Sequence, residues 1–302
     1  MVSTSATSEI SKRAKEFLQA KFQFETFNID QLKILKQYLK EEYNLIPEKE
    51  RIGKGMVYIV KIVAKVVYDY LKFDYFRIPK KERPNAEQIA AILKFIDKLE
   101  ADPDTLVLAI HLTANLAQDA FENTIEKIKK WANHEIWDIR ENACHPVLAG
   151  LKTNPALSMR LLKELALDMN ENLRRLVAES LRPKADVKWL RDPTKNDDVL
   201  EILTILNHDS SVYVRKSVGN NLKDLTKYLP EKILKLIEKW LKDKDKLTGK
   251  EQKNLTWTIY QSLRWLKEKN PEWHAWIQRL VGENYILYFD EKRNRNALPP
   301  KI

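Results

Sequence analysis

The residues of this 302-residue chain whose types and spacing suit chemistry lie in two stretches, 174–183 and 213–224. In the second, Val214, Val218, Leu222 and Leu225 recur at helical spacing and take the packed face of a helix. That leaves Ser217, Asn220, Asn221 and Asp224 close together, Asn220 four and Asn221 three residues before Asp224. In the first stretch Glu179 stands five residues after Arg174, as Asn220 stands five after Arg215. Equivalent positions of neighbouring repeats lie side by side, so Glu179 is expected next to Asn220 and Asp224, with Arg182 one turn along. Carboxylates held in this way stabilise positive charge and position water. His134, His145 and His208 share no ligand spacing with acids or cysteines, and the chain has no glycine-rich phosphate cradle and no nucleophilic serine motif. No cofactor and no metal are expected.

The elements that must position these residues form a repeat. In 209–240 a short turn ends in Asp209, a helix follows, Pro230 opens a second helix and Trp240 closes it. Arg215 lies six residues after Asp209, Arg174 six after Asp168 and Arg140 six after His134, each preceded by an apolar residue: Val214, Leu173 and Ile139. The intervals of 34 and 41 residues between these arginines are those of a two-helix unit. With only 6 glycines and 44% hydrophobic residues, the chain is expected to be all-α, a HEAT-like α-solenoid of stacked antiparallel helix pairs. Asp168 and Asp209 read as turn caps paired with the repeat arginines, and His134 and His208 as turn residues. Cys144, the sole cysteine, stands four after Arg140, as Ala178 and Gly219 stand four after theirs, which marks a small core position. Trp131, Trp240 and Trp265 also read as core.

Three regions of one continuous domain are expected: helical cap and stacked helices over 1–120, repeats over 121–281, and a tail over 282–302. Near Asn28, Asp30 is expected to cap the second helix of the cap region. An apolar helix over 57–71 is expected to lead into a loop over 73–84. The apolar run is interrupted by Lys61, Lys65 and Asp69, and the first ten residues lack an apolar core, so neither export nor a membrane span is expected. Residues 210–267 contain 14 Lys and Arg against 6 Asp and Glu, most of the net charge of +10. Such an excess suits a polyanion, because each neutralised phosphate releases counterions.

At Tyr213, Val214, Arg215, Lys216, Ser217, Val218, Gly219, Asn220, Asn221, Leu222, Lys223 and Asp224 the chain resembles the YVRKSVANxLND signature of the AlkC/AlkD group of DNA alkylation repair glycosylases. One repeat earlier, residues 174–183 resemble the RRLxSExxRP motif of the AlkC branch, followed by a tryptophan as here at Trp189. Where AlkC relatives read SSEFAIRPF, Trp137 matches the aromatic residue and Arg140 the arginine. The family glutamate falls on Ile136, with Glu135 one position early and Asp138 as a second nearby carboxylate. A late segment resembles WxxxHALRTLxKxG, keeping Trp257, Leu263, Arg264 and Lys267 while the family histidine falls on Gln261. The resemblance spans roughly residues 120–270.

The resemblance implies hydrolysis of the N-glycosidic bond of cationic alkylated purines in duplex DNA, above all N3-methyladenine, without a fully flipped base. A base that already carries positive charge leaves without a general acid. Stabilising an oxocarbenium-like sugar falls to carboxylates: Glu179 and Asp224 first, then Glu135 and Asp138. The residues expected against DNA are Trp137, Arg140, Arg175, Arg182, Trp189, Arg215, Lys216, Asn220, Asn221, Lys223, Lys227 and Arg264. Arg215 has a second reading, as the buried arginine of a HEAT unit. The expected protein is a cytoplasmic, nucleoid-associated monomer. Its rivals are a non-catalytic protein binding distorted or branched DNA and a protein-interaction scaffold.

Overall fold

A computed structural model describes residues 3–48, 51, 55–269 and 271–282; the tail expected over 282–302 lies, beyond Gly282, outside the described residues. Among the described residues there is no strand, and no helix is long and apolar enough to cross a membrane. The described residues are all α, antiparallel helix pairs of HEAT type stacked within each of two compact units that divide after Asn154.

The first unit contains α1 (Ser3–Lys21), α2 (Ile29–Asn44), α3 (Met56–Asp69), α4 (Ala86–Glu100), α5 (Leu106–Ala120), α6 (Ile125–Ala132), α7 (Trp137–Asn142) and α8 (Cys144–Thr153). The alternate helices α1, α3, α5 and α8 pack in a row, with α2 and α4 against α3 and α5. Helix α5 is apolar around most of its circumference, and Leu108, Ile110, Leu112 and Leu116 are buried on it together with His111 and Thr113. The cap of α2 is Asn28 rather than Asp30. The Asn28 Oδ1 accepts from Asp30 N at 3.0 Å and Gln31 N at 3.2 Å, because the helix starts at Ile29 and places Asp30 in its first turn. Beyond α3 the chain continues as a π-helical stretch, Tyr70–Tyr75, so the loop expected from Phe73 begins later. Cys144 is buried, its Sγ donating to Glu141 O at 3.0 Å.

The second unit contains α9 (Pro155–Leu165), α10 (Glu171–Ser180), α11 (Asp197–Ile205), α12 (Val212–Leu225), α13 (Pro230–Lys242), α14 (Gly249–Lys269) and α15 (His274–Val281). Helices α10, α12 and α14 form a row in which α12 is covered on both flanks, α9 packs on α11, and α13 on α15. Pro230 sits in the first turn of α13, where its missing N–H is no loss. The approach of α14 to α12 requires Gly219, since a Cβ there would lie 2.6 Å from Gln261 Cβ. Trp131 and Trp240 are buried as expected, and Trp265 is half-buried.

Candidate functional site

The repeat turns are built by local hydrogen bonds. Arg140 Nη1 donates to the carbonyls of His134 and Glu135, each at 2.7 Å. Arg174 Nη1 does the same to Asp168 O and Met169 O at 2.8 and 2.9 Å, and Arg215 Nη1 to Asp209 O and Ser210 O at 2.5 and 3.0 Å. In each turn the residue six before the arginine accepts from the backbone N–H two residues on: His134 Nδ1 from Ile136, Asp168 Oδ1 from Asn170, and Asp209 Oδ1 from Ser211. Asp209 also takes a 2.6 Å bond from Arg174 Nε, which ties the second repeat turn to the third. These three arginines and their partners therefore hold the scaffold. Burial pushes the Arg215 guanidinium below its usual value, against the nearby charge of Asp209, and the ring of Trp257 lies 5.6 Å from it.

The turns set α10 and α12 side by side, and one cluster forms toward their C-terminal ends. Arg182, just past α10, donates from Nη1 to Glu179 Oε2 at 3.2 Å and from Nε to Asp224 Oδ2 at 3.1 Å. Its Nη2 adds a 2.5 Å bond to the same Oδ2. The other oxygen of Asp224, Oδ1, receives Lys227 Nζ at 3.0 Å and Lys223 Nζ at 3.1 Å. Glu179 is buried, with Arg175 Nη2 at 3.9 Å from Oε1. Desolvation pushes the Asp224 carboxyl up, but the hydrogen bonds from Arg182, Lys227 and Lys223 outweigh it and hold the group at about 2. Burial disfavours the Arg182 cation, yet its bond to Asp224 and the charge of Glu179 raise it above its usual value. Both groups are thus locked in their charged forms. One turn before Asp224, Asn220 Oδ1 accepts from Arg264 Nη2, and Arg264 Nη1 donates to Gln261 Oε1 at 2.9 Å. Among the described residues no cluster of three or more His, Cys, Asp and Glu is arranged to hold a metal.

The tertiary structure thus brings together Glu179, Arg182, Asp224, Lys223 and Lys227, with Asn220 and Arg264 alongside. Lys216 is exposed on the same helix, α12. Two residues that helical spacing set on the open face, Ser217 and Asn221, are buried, and so are two arginines that the resemblance set against DNA, Arg175 and Arg215. Ser217 and Asn221 are buried, because α12 has neighbours on both flanks, and Asn221 Nδ2 donates across to Ala178 O at 2.9 Å. Arg175 is buried with its guanidinium 4.4 Å from the Tyr213 ring centroid, and Arg215 is buried as the HEAT reading anticipates. Trp189 lines an open hollow of about 730 Å³ with Met159 and Arg160 of α9 and Ile202 of α11. In the first unit, Glu135, Trp137 and Asp138 are exposed around the start of α7; among the described residues neither carboxylate carries an ion pair.

One pair was missed by the spacing argument. Arg191 lies 4.7 Å over the ring of Tyr228, a 48% exposed aromatic next to Lys227. Its only sequence signal is an aromatic residue just beyond the apolar positions of α12.

A family model described as DNA alkylation repair enzyme matches residues 76–266. The uncharacterized protein YhaZ of Bacillus subtilis (strain 168) is 43% identical over 75 residues, 24% of this chain and 20% of that protein. Among solved structures, Pseudomonas fluorescens alkylpurine DNA glycosylase AlkC, bound to DNA containing an abasic site analog, matches with a TM-score of 0.55 and 20% identity over 92% of this chain. The match covers 66% of that chain, so this protein spans about a fifth of the one relative and just under two thirds of the other.

Proposed function

The chain belongs to the DNA alkylation repair enzymes, and from that premise we propose that it is a DNA glycosylase that releases cationic N-alkylated purines, of the N3-methyladenine type, from duplex DNA. The bond between C1′ and the base nitrogen breaks, and its electron pair leaves with the base, which becomes neutral. The oxocarbenium-like sugar is then attacked by water at C1′, and the water proton passes to solvent. Glu179 and Asp224 are the acids assigned to the sugar cation.

The observation that supports this reading most is the joining of these two carboxylates by Arg182 across adjacent repeats, with Asp224 held ionised. A carboxylate contributing about 3–4 kcal/mol in the transition state accelerates the reaction roughly 10²–10³-fold. Duplex DNA is the partner, and the basic excess over 210–267 supplies its electrostatic attraction. Incubating the protein with methylated duplex DNA and identifying the released bases tests the reading. Release of N3-methyladenine supports it, and intact methylated DNA in the presence of tight binding overturns it.

One observation favours a second reading, a repeat protein that binds distorted or branched DNA without cutting it. Both oxygens of Asp224 are already occupied by cations. The same incubation separates the two, since the second reading gives binding and no base release.

A further inference from the structure

A carboxylate engaged by three cations presents little negative potential to an approaching sugar, so the proposed chemistry needs one of its oxygens uncovered. The two oxygens of Asp224 differ in how firmly they are held. Oδ2 takes two nitrogens of a single guanidinium, from a side chain that is 30% exposed and also anchored to Glu179. Oδ1 takes two separate ammonium groups, Lys227 with 39% of its side chain exposed and Lys223 with 20%. An ammonium on a flexible four-carbon stem is a point charge that reorients readily, whereas a planar fork that donates twice is pre-organised. Lysine–carboxylate pairs that reach solvent, as Lys227 does most, are weak and screened by salt, while phosphate capture by lysine is favoured by counterion release.

We infer that Lys223 and Lys227 exchange Asp224 for DNA phosphates when a duplex binds, uncovering Oδ1 while Arg182 keeps Oδ2. This deepens the proposed function, on which it rests, by making the substrate's own backbone switch on the acid. Glu179, which shares Arg182 and has buried Arg175 at 3.9 Å, takes no part in this exchange. The departing cations come from the last turn of α12 and just beyond it, beside exposed Tyr228, whose ring lies 4.7 Å from the guanidinium of half-buried Arg191; exposed Lys216 stands earlier on α12.

The test uses undamaged duplex of fixed length, so it does not depend on base release. In the double variant Lys223→Gln and Lys227→Gln, the slope of log affinity against log salt is expected to fall by about 1.8, two phosphate contacts at about 0.9 each. Lys223→Arg with Lys227→Arg is expected to restore it. Asp224→Asn in the otherwise unchanged protein is expected to tighten binding about two- to fivefold, since the lysines no longer have a carboxylate to leave. In the double glutamine background that tightening is expected to vanish. An unchanged slope in the double variant overturns the inference, as does an undiminished effect of Asp224→Asn in its background. Both results leave the glycosylase reading intact. The expected slopes with no base release from methylated DNA would instead retain the exchange and remove the glycosylase. A protein that binds no duplex loses both.

Discussion

In the unit that ends at Asn154 a titratable side chain, His111, is deeply buried on α5 among Leu108, Ile110 and Leu112; in the unit that follows, buried Glu179 is joined through Arg182 to half-buried Asp224. His111 packs against His145 with ring centroids 4.4 Å apart, and burial together with the charge of Lys61 pushes its pKa down to about 4, against a bond with Asn142. It is kept neutral. Asp224 is kept charged, because Arg182 and two lysines reach it. Burial thus removes the charge at His111, whereas at Asp224, as at Glu42 with Arg13 in the first unit, a guanidinium from elsewhere in the chain holds the charge. Glu135 and Asp138, also in the first unit, face solvent and need neither solution.

The largest expected effect is on catalysis, and it sets these acids against each other. Asp224→Asn and Glu179→Gln each remove the charge while keeping the shape, and each is expected to slow single-turnover release of N3-methyladenine by about 10²-fold or more. Glu135→Gln and Asp138→Asn are expected to change it less than about threefold. Equal losses at all four positions would dissolve the contrast between paired and solvated acids.

Acid unfolding separates the two units next. The folded-state pKa of His111 lies below its unfolded value, so the stability it contributes is complete above pH ~6.5. That stability is lost as pH falls toward 4, by up to about 3 kcal/mol. Asp224 is also depressed, to about 2, so its contribution, about 1–2 kcal/mol, persists above pH ~4 and is lost only as pH falls toward 2. Thermal melts across pH are expected to lose the upper dependence in His111→Gln and the lower one in Asp224→Asn. A swap of the two windows would refute the assignment.

The small positions four after the repeat arginines give a further contrast. Cys144 occupies one in the first unit, whereas Gly219 in the second has no room for a Cβ, which would stand 2.6 Å from Gln261 Cβ. Gly219→Ala is expected to lower stability by about 1–3 kcal/mol, despite a gain of about 1 kcal/mol in helix propensity. Cys144→Ala, which removes only the sulfur atom, is expected to cost less than Gly219→Ala in the same melting assay. The smallest effect is at Lys216, exposed and without an ion pair among the described residues. Lys216→Gln is expected to lower the salt slope of duplex binding by about 0.9 and leave the melting temperature unchanged.

Much of the scaffold was legible in the linear order. The arginine six residues after each turn start is found in the structure bonded to the carbonyls six and five residues back, a contact short enough in sequence to be encoded locally. The apolar stripe Val214, Val218, Leu222 and Leu225 is fully buried, because a 3.6-residue period directs side chains to one face whatever lies opposite. The clustering of Glu179, Arg182 and Asp224 also followed from repeat equivalence. What the sequence could not carry is the second flank of α12, where packing of α10 on one side and α14 on the other buried Ser217 and Asn221. Nor could it carry the occupancy of Asp224, since Arg182 lies 42 residues away in the chain and meets it only when two repeats stack. Local hydrogen bonds and periodicity are properties of a segment and are written in its order; burial and charge pairing depend on what neighbours arrive, and only the folded stack decides that.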